Sequence, residues 1–318
     1  MERSTIILGN GLGMSLDPDY FSIETAMEKV WNDPSYLTTT EKDLISSCLV
    51  EKNCPNGEDD LDVLHRVVVA CEYLAGVVVG KNHWLSIHGQ QFPKAIRQYL
   101  TGVAWYFHKY DLTINGNFIK SLSGYICKSK SHLATLNYDN LLYQELIERD
   151  VLKGFDGALV DGFCKNGFNE KNLKRKYGNE FGYYMHLHGS PLFINENECI
   201  IKQCQGKSKK IPTSHLVLTH VEHKPSVIDN SYLLKTYWLF LRKAIRESKK
   251  ILLFGYSGQD THLNRLIKDS SSNKKIGIVE WSGSGEKNKR VEFWENEFGE
   301  NVELNHLSNI LDFSAWEA

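Results

Sequence analysis

No two of the seven cysteines, Cys48, Cys54, Cys71, Cys127, Cys164, Cys199 and Cys204, stand in CxxC spacing. A zinc ribbon needs thiolates in such pairs, because each pair fixes two corners of the tetrahedron at once. No metal is therefore expected. The thiols are odd in number and scattered, which fits a reducing compartment better than a disulfide framework. A basic excess is missing too: the formal net charge is −2. Two short basic runs, 171–176 and 207–210, read as solvated loop faces, so direct nucleic-acid binding is not expected. Long apolar runs are also absent. The most apolar stretch, 63–79, is interrupted by His65, Arg66 and Glu72, whereas a membrane span needs about 20 nearly uninterrupted apolar residues. The opening Met1-Glu2-Arg3-Ser4 leads into an apolar stretch too brief for a secretory signal. A cytoplasmic protein without a membrane partner is the expectation. No internal repeat or long low-complexity tract is present.

What remains is ordinary globular material: 318 residues, 42% hydrophobic and 24% charged. The pattern along the chain predicts one domain, 1–318, of α/β class: a Rossmann-like parallel sheet with helices on both faces. Thr5-Ile6-Ile7-Leu8 is a short β-rich run that ends in a glycine turn. A helical insertion is expected over about 24–112, with an apolar face through Val67, Cys71, Leu74 and Ala75, and a further helix opening at Phe92-Pro93. Strand signals return at 132–136, 183–187, 250–254 and 275–281, separated by helices over 140–149 and 231–248. Two polar stretches, about 154–182 and 200–213, read as loop excursions. Strands alternating with helices argue for a parallel sheet, and ligands of such sheets bind outside the C-terminal strand ends.

Four motifs fall at such ends. Gly9-Asn10-Gly11-Leu12-Gly13 follows the first strand, with Ser15 just beyond. Glycines let backbone approach phosphates and adjacent N–H groups cradle an anion, although a plain tight turn explains the same residues. Asn137-Tyr138-Asp139 follows the second strand; either polar side chain suits a ribose hydroxyl or a water, and both also cap helices well. His188-Gly189-Ser190 offers an imidazole, the usual general base near neutral pH, with His186 on the same strand face. Gly255-Tyr256-Ser257-Gly258-Gln259-Asp260 ends the most apolar strand, and Asp260 is placed to cap the helix after it.

In order and spacing these residues resemble the sirtuin superfamily. Gly9-Asn10-Gly11 stands for its phosphate loop, with Asn where Ala is usual. Thr135-Leu136-Asn137-Tyr138-Asp139 matches Thr-x-Asn-x-Asp, His188-Gly189 matches the His-Gly strand end, and Gly255-Tyr256-Ser257 matches Gly-x-Ser. The phrasing is most similar to the bacterial sirtuin-like proteins, some of whose relatives are NAD-hydrolysing effectors of anti-phage defence. The paired cysteines of the protein-deacylating members are missing, so the resemblance implies NAD binding more firmly than deacylation. It implies NAD as substrate, Asn137 and His188 as catalytic residues, and Gly9, Asn10, Gly11, Ser15, Asp139, Gly255, Ser257 and Asp260 as NAD-binding or loop-shaping residues. It further implies a triggered effector that forms a homo-oligomer or works beside a ring-forming ATPase/helicase partner. A non-enzymatic NAD sensor and an NAD-dependent deacylase or ADP-ribosyltransferase are the rival expectations.

Overall fold

The computed structural model describes residues 2–49, 52–77, 83–108, 113–176, 178–203, 211–219, 221–271 and 274–317. Strand β1 (Ser4–Leu8) is buried at every position: Ile6, Ile7 and Leu8 are core residues, and the Ser4 and Thr5 hydroxyls pair with those of Tyr125 and Ser248. It ends in the glycine turn and a single helical turn, α1 (Gly11–Met14). A helical block follows: α2 (Ile23–Asn32), α3 (Thr39–Ser46), α4 (Glu58–Gly76), α5 (Ile87–His108) and α6 (Gly116–Ser129). Helix α5 is its spine and packs against α2, α3 and α4. It starts before the expected Phe92-Pro93 boundary, and Pro93 lies inside it. Proline there removes one rung of the helical ladder. Burial of Phe92, Ala95, Ile96, Tyr99 and Val103 along one face offsets that loss.

The chain re-enters the sheet at β2 (His132–Thr135), followed by α7 (Leu141–Glu148). The stretch expected as loop over 154–182 is only partly so. It holds β3 (Leu159–Val160), which joins the main sheet, and a small antiparallel pair, β4 (Phe163–Cys164) and β5 (Gly167–Phe168). Strand β6 (Gly182–His186) ends just before His188. The second expected excursion, 200–213, begins inside a hairpin of β7 (Phe193–Glu196) and β8 (Cys199–Lys202). The polar side chains misled the reading because they are used inside the fold: Lys202 turns in to Asp161, and the buried Gln203 donates to the Pro191 carbonyl (2.7 Å). The basic run 207–210, Cys204 and residues 109–112 lie outside the described residues. The basic run 171–176 is not purely solvated: Arg175 donates to both carboxylate oxygens of Glu247, at 2.8 and 2.9 Å.

The remaining elements are α8 (Lys224–Asp229), α9 (Tyr232–Glu247), β9 (Lys250–Phe254), α10 (Thr261–Ser270), β10 (Lys275–Trp281), α11 (Lys287–Phe298) and β11 (Val302–Leu307). The seven-stranded sheet runs β11-β10-β9-β1-β2-β6-β3, and every pairing is parallel. From β1 the chain steps outward to β2, lays β3 at the edge and returns to fill the gap with β6, then crosses back to β9 and steps the other way. Right-handed crossovers therefore place the two sets of helices on opposite faces, and α9 packs across β6 and β1 on the face it shares with α10. The order reverses between β1 and β9, and in sheets of this kind a ligand crevice opens at such a reversal. Among the described residues no helix is long and apolar enough to cross a membrane.

Candidate active site

A cleft of about 1010 Å³ opens at the C-terminal ends of β1, β9, β2 and β6. That is the upper end of the range usual for small-molecule sites, about 300–1,000 Å³. Gly9, Asn10, Gly11, Ser15, Asn137, Asp139, His188, Gly255, Ser257 and Asp260 all line it. Residues 179 positions apart in sequence (Gly9 and His188) thus meet on one wall system because their strands are parallel neighbours or next neighbours.

The glycine turn does something other than expected. The Gly9 amide donates to the Phe254 carbonyl (3.0 Å) and the Gly11 amide to the Gly255 carbonyl (2.8 Å). These two donors are spent joining the β1 turn to the β9 turn, so they do not cradle an anion. A Cβ at Gly9 would stand 2.6 Å from the Gly255 oxygen, and one at Gly11 would stand 2.6 Å from the Gly255 Cα. Glycine is needed there for backbone-to-backbone contact across the switch point. Gly255 itself sits at φ +59, the left-handed region that glycine enters at least cost. The Ser15 hydroxyl donates to the Leu12 carbonyl, and the Asn10 amide side chain to the Phe21 carbonyl (2.9 Å). The phosphate-loop reading is left with the Asn10 backbone amide, which no hydrogen bond among the described residues uses.

At the end of β2 the polar groups are unspent. Asn137 is 6% exposed, yet neither its amide oxygen nor its amide nitrogen has a partner among the described residues. Asp139 accepts the Leu141 N–H through Oδ1 (3.1 Å), so the helix-end role is real, but its buried Oδ2 is unpartnered. Burial pushes the Asp139 carboxyl up to about 6, against the pull of the Leu141 amide and of the neighbouring Asn137 side chain, which is near enough to favour the carboxylate although it makes no hydrogen bond of ordinary geometry. Buried polar atoms without partners cost about 1–3 kcal/mol each. Two such residues stand on one short loop, both lining the cleft.

His188 and Asp260 meet across the cleft: His188 Nε2 lies 3.1 Å from Asp260 Oδ2. Asp260 Oδ1 accepts the Leu263 N–H (3.0 Å), which is the expected cap of α10. Lys224 Nζ also donates to Oδ2, at 3.4 Å. Burial works to raise this carboxyl, but His188 and Lys224 hold it well below the usual carboxylate range. Both oxygens of Asp260 are thus engaged inside the chain. His186, left open by the sequence, does not line the cleft. It is buried among the rings of Tyr143, Tyr184 and Phe193, and burial pushes its imidazole down to about 3, so it is neutral.

Sequence reasoning missed the far end of the cleft. Glu280 ends β10 and is gripped by Arg290 through Nε (3.0 Å) and Nη2 (2.5 Å), by Trp294 Nε1 (2.9 Å) and by the Ser284 hydroxyl (3.2 Å). Arg290 also donates to the Ser257 carbonyl (3.3 Å). The rule that sites lie at strand ends would have found Glu280, because its strand was legible. Lys224 carried no such signal. Among the described residues no group of three or more His, Cys, Asp or Glu side chains is arranged to hold a metal ion.

Residues 6–310 match a family model described as a domain of unknown function, DUF4917. The chain belongs to the DUF4917 family. No curated protein matches it. The family description carries no activity, so the chemistry of this DUF4917 chain has to be argued from the cleft itself.

Proposed function

We propose that the DUF4917 chain binds NAD in this cleft and hydrolyses it to nicotinamide and ADP-ribose. The observation that carries the reading is the Asn137 amide, buried at the end of β2 beside Asp139, with neither polar atom in a hydrogen bond of ordinary geometry. An amide in that state suits a ribose hydroxyl, a carboxamide or an attacking water, because it donates and accepts at once. The sheet reversal at β1 and β9, the cleft volume and the resemblance to sirtuin-like sequences support the same ligand.

In this reading the nicotinamide ribose sits between Asn137 and His188, the pyrophosphate lies against the Asn10 amide of the glycine turn, and the adenosine end extends past Ser257 towards Glu280. The C–N bond breaks with its electron pair leaving on a ring that is already cationic, so no acid is required. Water adds its oxygen to the ribose carbon and gives up a proton, for which His188 is the acceptor. Asn137 orients the water or the ribose, and Asp139 offers an unpartnered carboxylate oxygen to the developing positive charge. A triggered role in anti-phage defence, with a homo-oligomer or a ring-forming ATPase/helicase partner, follows from the resemblance alone.

The test follows nicotinamide release from NAD by the purified chain, alone and with lysate from phage-infected cells as a trigger. Release by wild type that falls at least about 100-fold in both Asn137→Ala and His188→Ala supports the proposal. Equal release by wild type and both variants overturns the assignment. Saturable NAD binding without release under either condition favours the sensor reading instead.

A further inference from the structure

Lys224 is the feature of the cleft that the proposed chemistry does not use. It is 6% exposed. It opens α8, ahead of Pro225, where the helix dipole disfavours a cation. Burying an ammonium is costly unless it is paired, and a buried ion pair is weak evidence for a role in stability alone. Among the described residues its side chain donates to the Asp260 oxygen that His188 also contacts.

We propose that Asp260 and Lys224 are positioning residues for His188. Asp260 accepts the proton on Nε2 and so fixes the tautomer, which leaves Nδ1 as the atom that meets the ligand. Lys224, a cation on the same oxygen, keeps Asp260 ionised, so the carboxylate stays an acceptor for Nε2. The frame around them is stiff. The Asp260 amide donates to the Tyr256 hydroxyl (3.0 Å), the Leu263 amide holds Oδ1 (3.0 Å), and the His188 carbonyl accepts the Val217 N–H (2.9 Å). A histidine whose second nitrogen is tied to a carboxylate presents a defined lone pair at the first. The other ionisable groups near the pair are His262 on α10, which senses both Asp260 and His188, Asp139 and Tyr138 on the β2 loop, and Tyr256.

The inference rests on the NAD reading only for its activity arm, and its main test needs no NAD. In the full chain labelled with ¹⁵N-histidine, His188 is assigned by the signals lost in His188→Gln. The expected spectrum has neutral His188 protonated at Nε2 and bare at Nδ1, and Asp260→Asn disturbs that preference. In Lys224→Met the same Nε2 preference is weakened, whereas Lys224→Arg keeps it. A wild-type tautomer protonated at Nδ1, or a tautomer preference unchanged in Lys224→Met, overturns the proposal. In nicotinamide release, Lys224→Met is expected to lose kcat about tenfold with KM within twofold, and Lys224→Arg to restore it; an unchanged kcat in Lys224→Met also overturns it. If no release occurs while the spectra behave as stated, the NAD reading fails and the positioning array stands.

Discussion

The two ends of β2 are built from the same materials and treated oppositely. At its start, His132 is fully buried, takes the Tyr183 N–H on Nδ1 (3.1 Å) and stands with Nε2 2.8 Å from Glu247. Glu247 is in turn gripped by Arg175, with Arg3 at 3.6 Å. Burial pushes the His132 imidazole down to about 4 despite Glu247, and although burial also works to raise the Glu247 carboxyl, His132 and Arg175 hold it far below the ordinary range. Charges there are matched within the chain. Just past the other end of the strand, Asn137 and Asp139 are buried with no opposite charge beside them: Asp139 has the Leu141 amide on one oxygen and the Asn137 side chain nearby. One end uses its polar groups to hold the sheet together; the other keeps them free at a cost in stability, as active sites do.

Asp139 gives the largest expected effect on stability. Its carboxyl is raised from an ordinary 3.8 to about 6 in the folded protein. A raised folded value means that the stability contribution is full below about 4 and is lost as pH climbs through 6. Relative to Asp139→Asn, wild type should lose up to about 3 kcal/mol across that window. Urea denaturation at pH 4, 5, 6 and 7 measures the difference; parallel curves for the two proteins would show that the carboxyl is paired after all.

Glu247→Ala should destabilise by about 2 kcal/mol, below the usual cost of breaking a buried pair because the side chain is about a quarter exposed. Its NAD affinity should stay within twofold of wild type, as calorimetry would show, because the residue lies at the far end of the sheet. Asn137→Ala is the mirror case and the smallest stability effect. It removes two unpaired buried atoms, so the melting temperature should hold or rise, by up to about 1 kcal/mol of stability. A loss of 2 kcal/mol or more in that variant would mean that Asn137 is a structural residue like His132.

The contrast also explains what the sequence could and could not tell. The strands β1, β2, β6 and β9 were legible because parallel strands buried on both faces leave continuous apolar runs. Strand β11, half-exposed along its length, and β3, two residues long, leave almost no pattern. The cleft residues were found by their place at strand ends. Whether each was matched was not legible, because the partners come from far away: Glu247 is 115 positions from His132, and Lys224 is 36 from Asp260. The same distance hid the use of the Gly9 and Gly11 amides, whose acceptors sit more than 240 positions on.

The most direct test of the central claim is nicotinamide release from NAD by wild type and Asn137→Ala, side by side with their melting temperatures. The account predicts a fall of at least about 100-fold in release with no loss of melting temperature. Wild-type release from a variant of unchanged stability would contradict it.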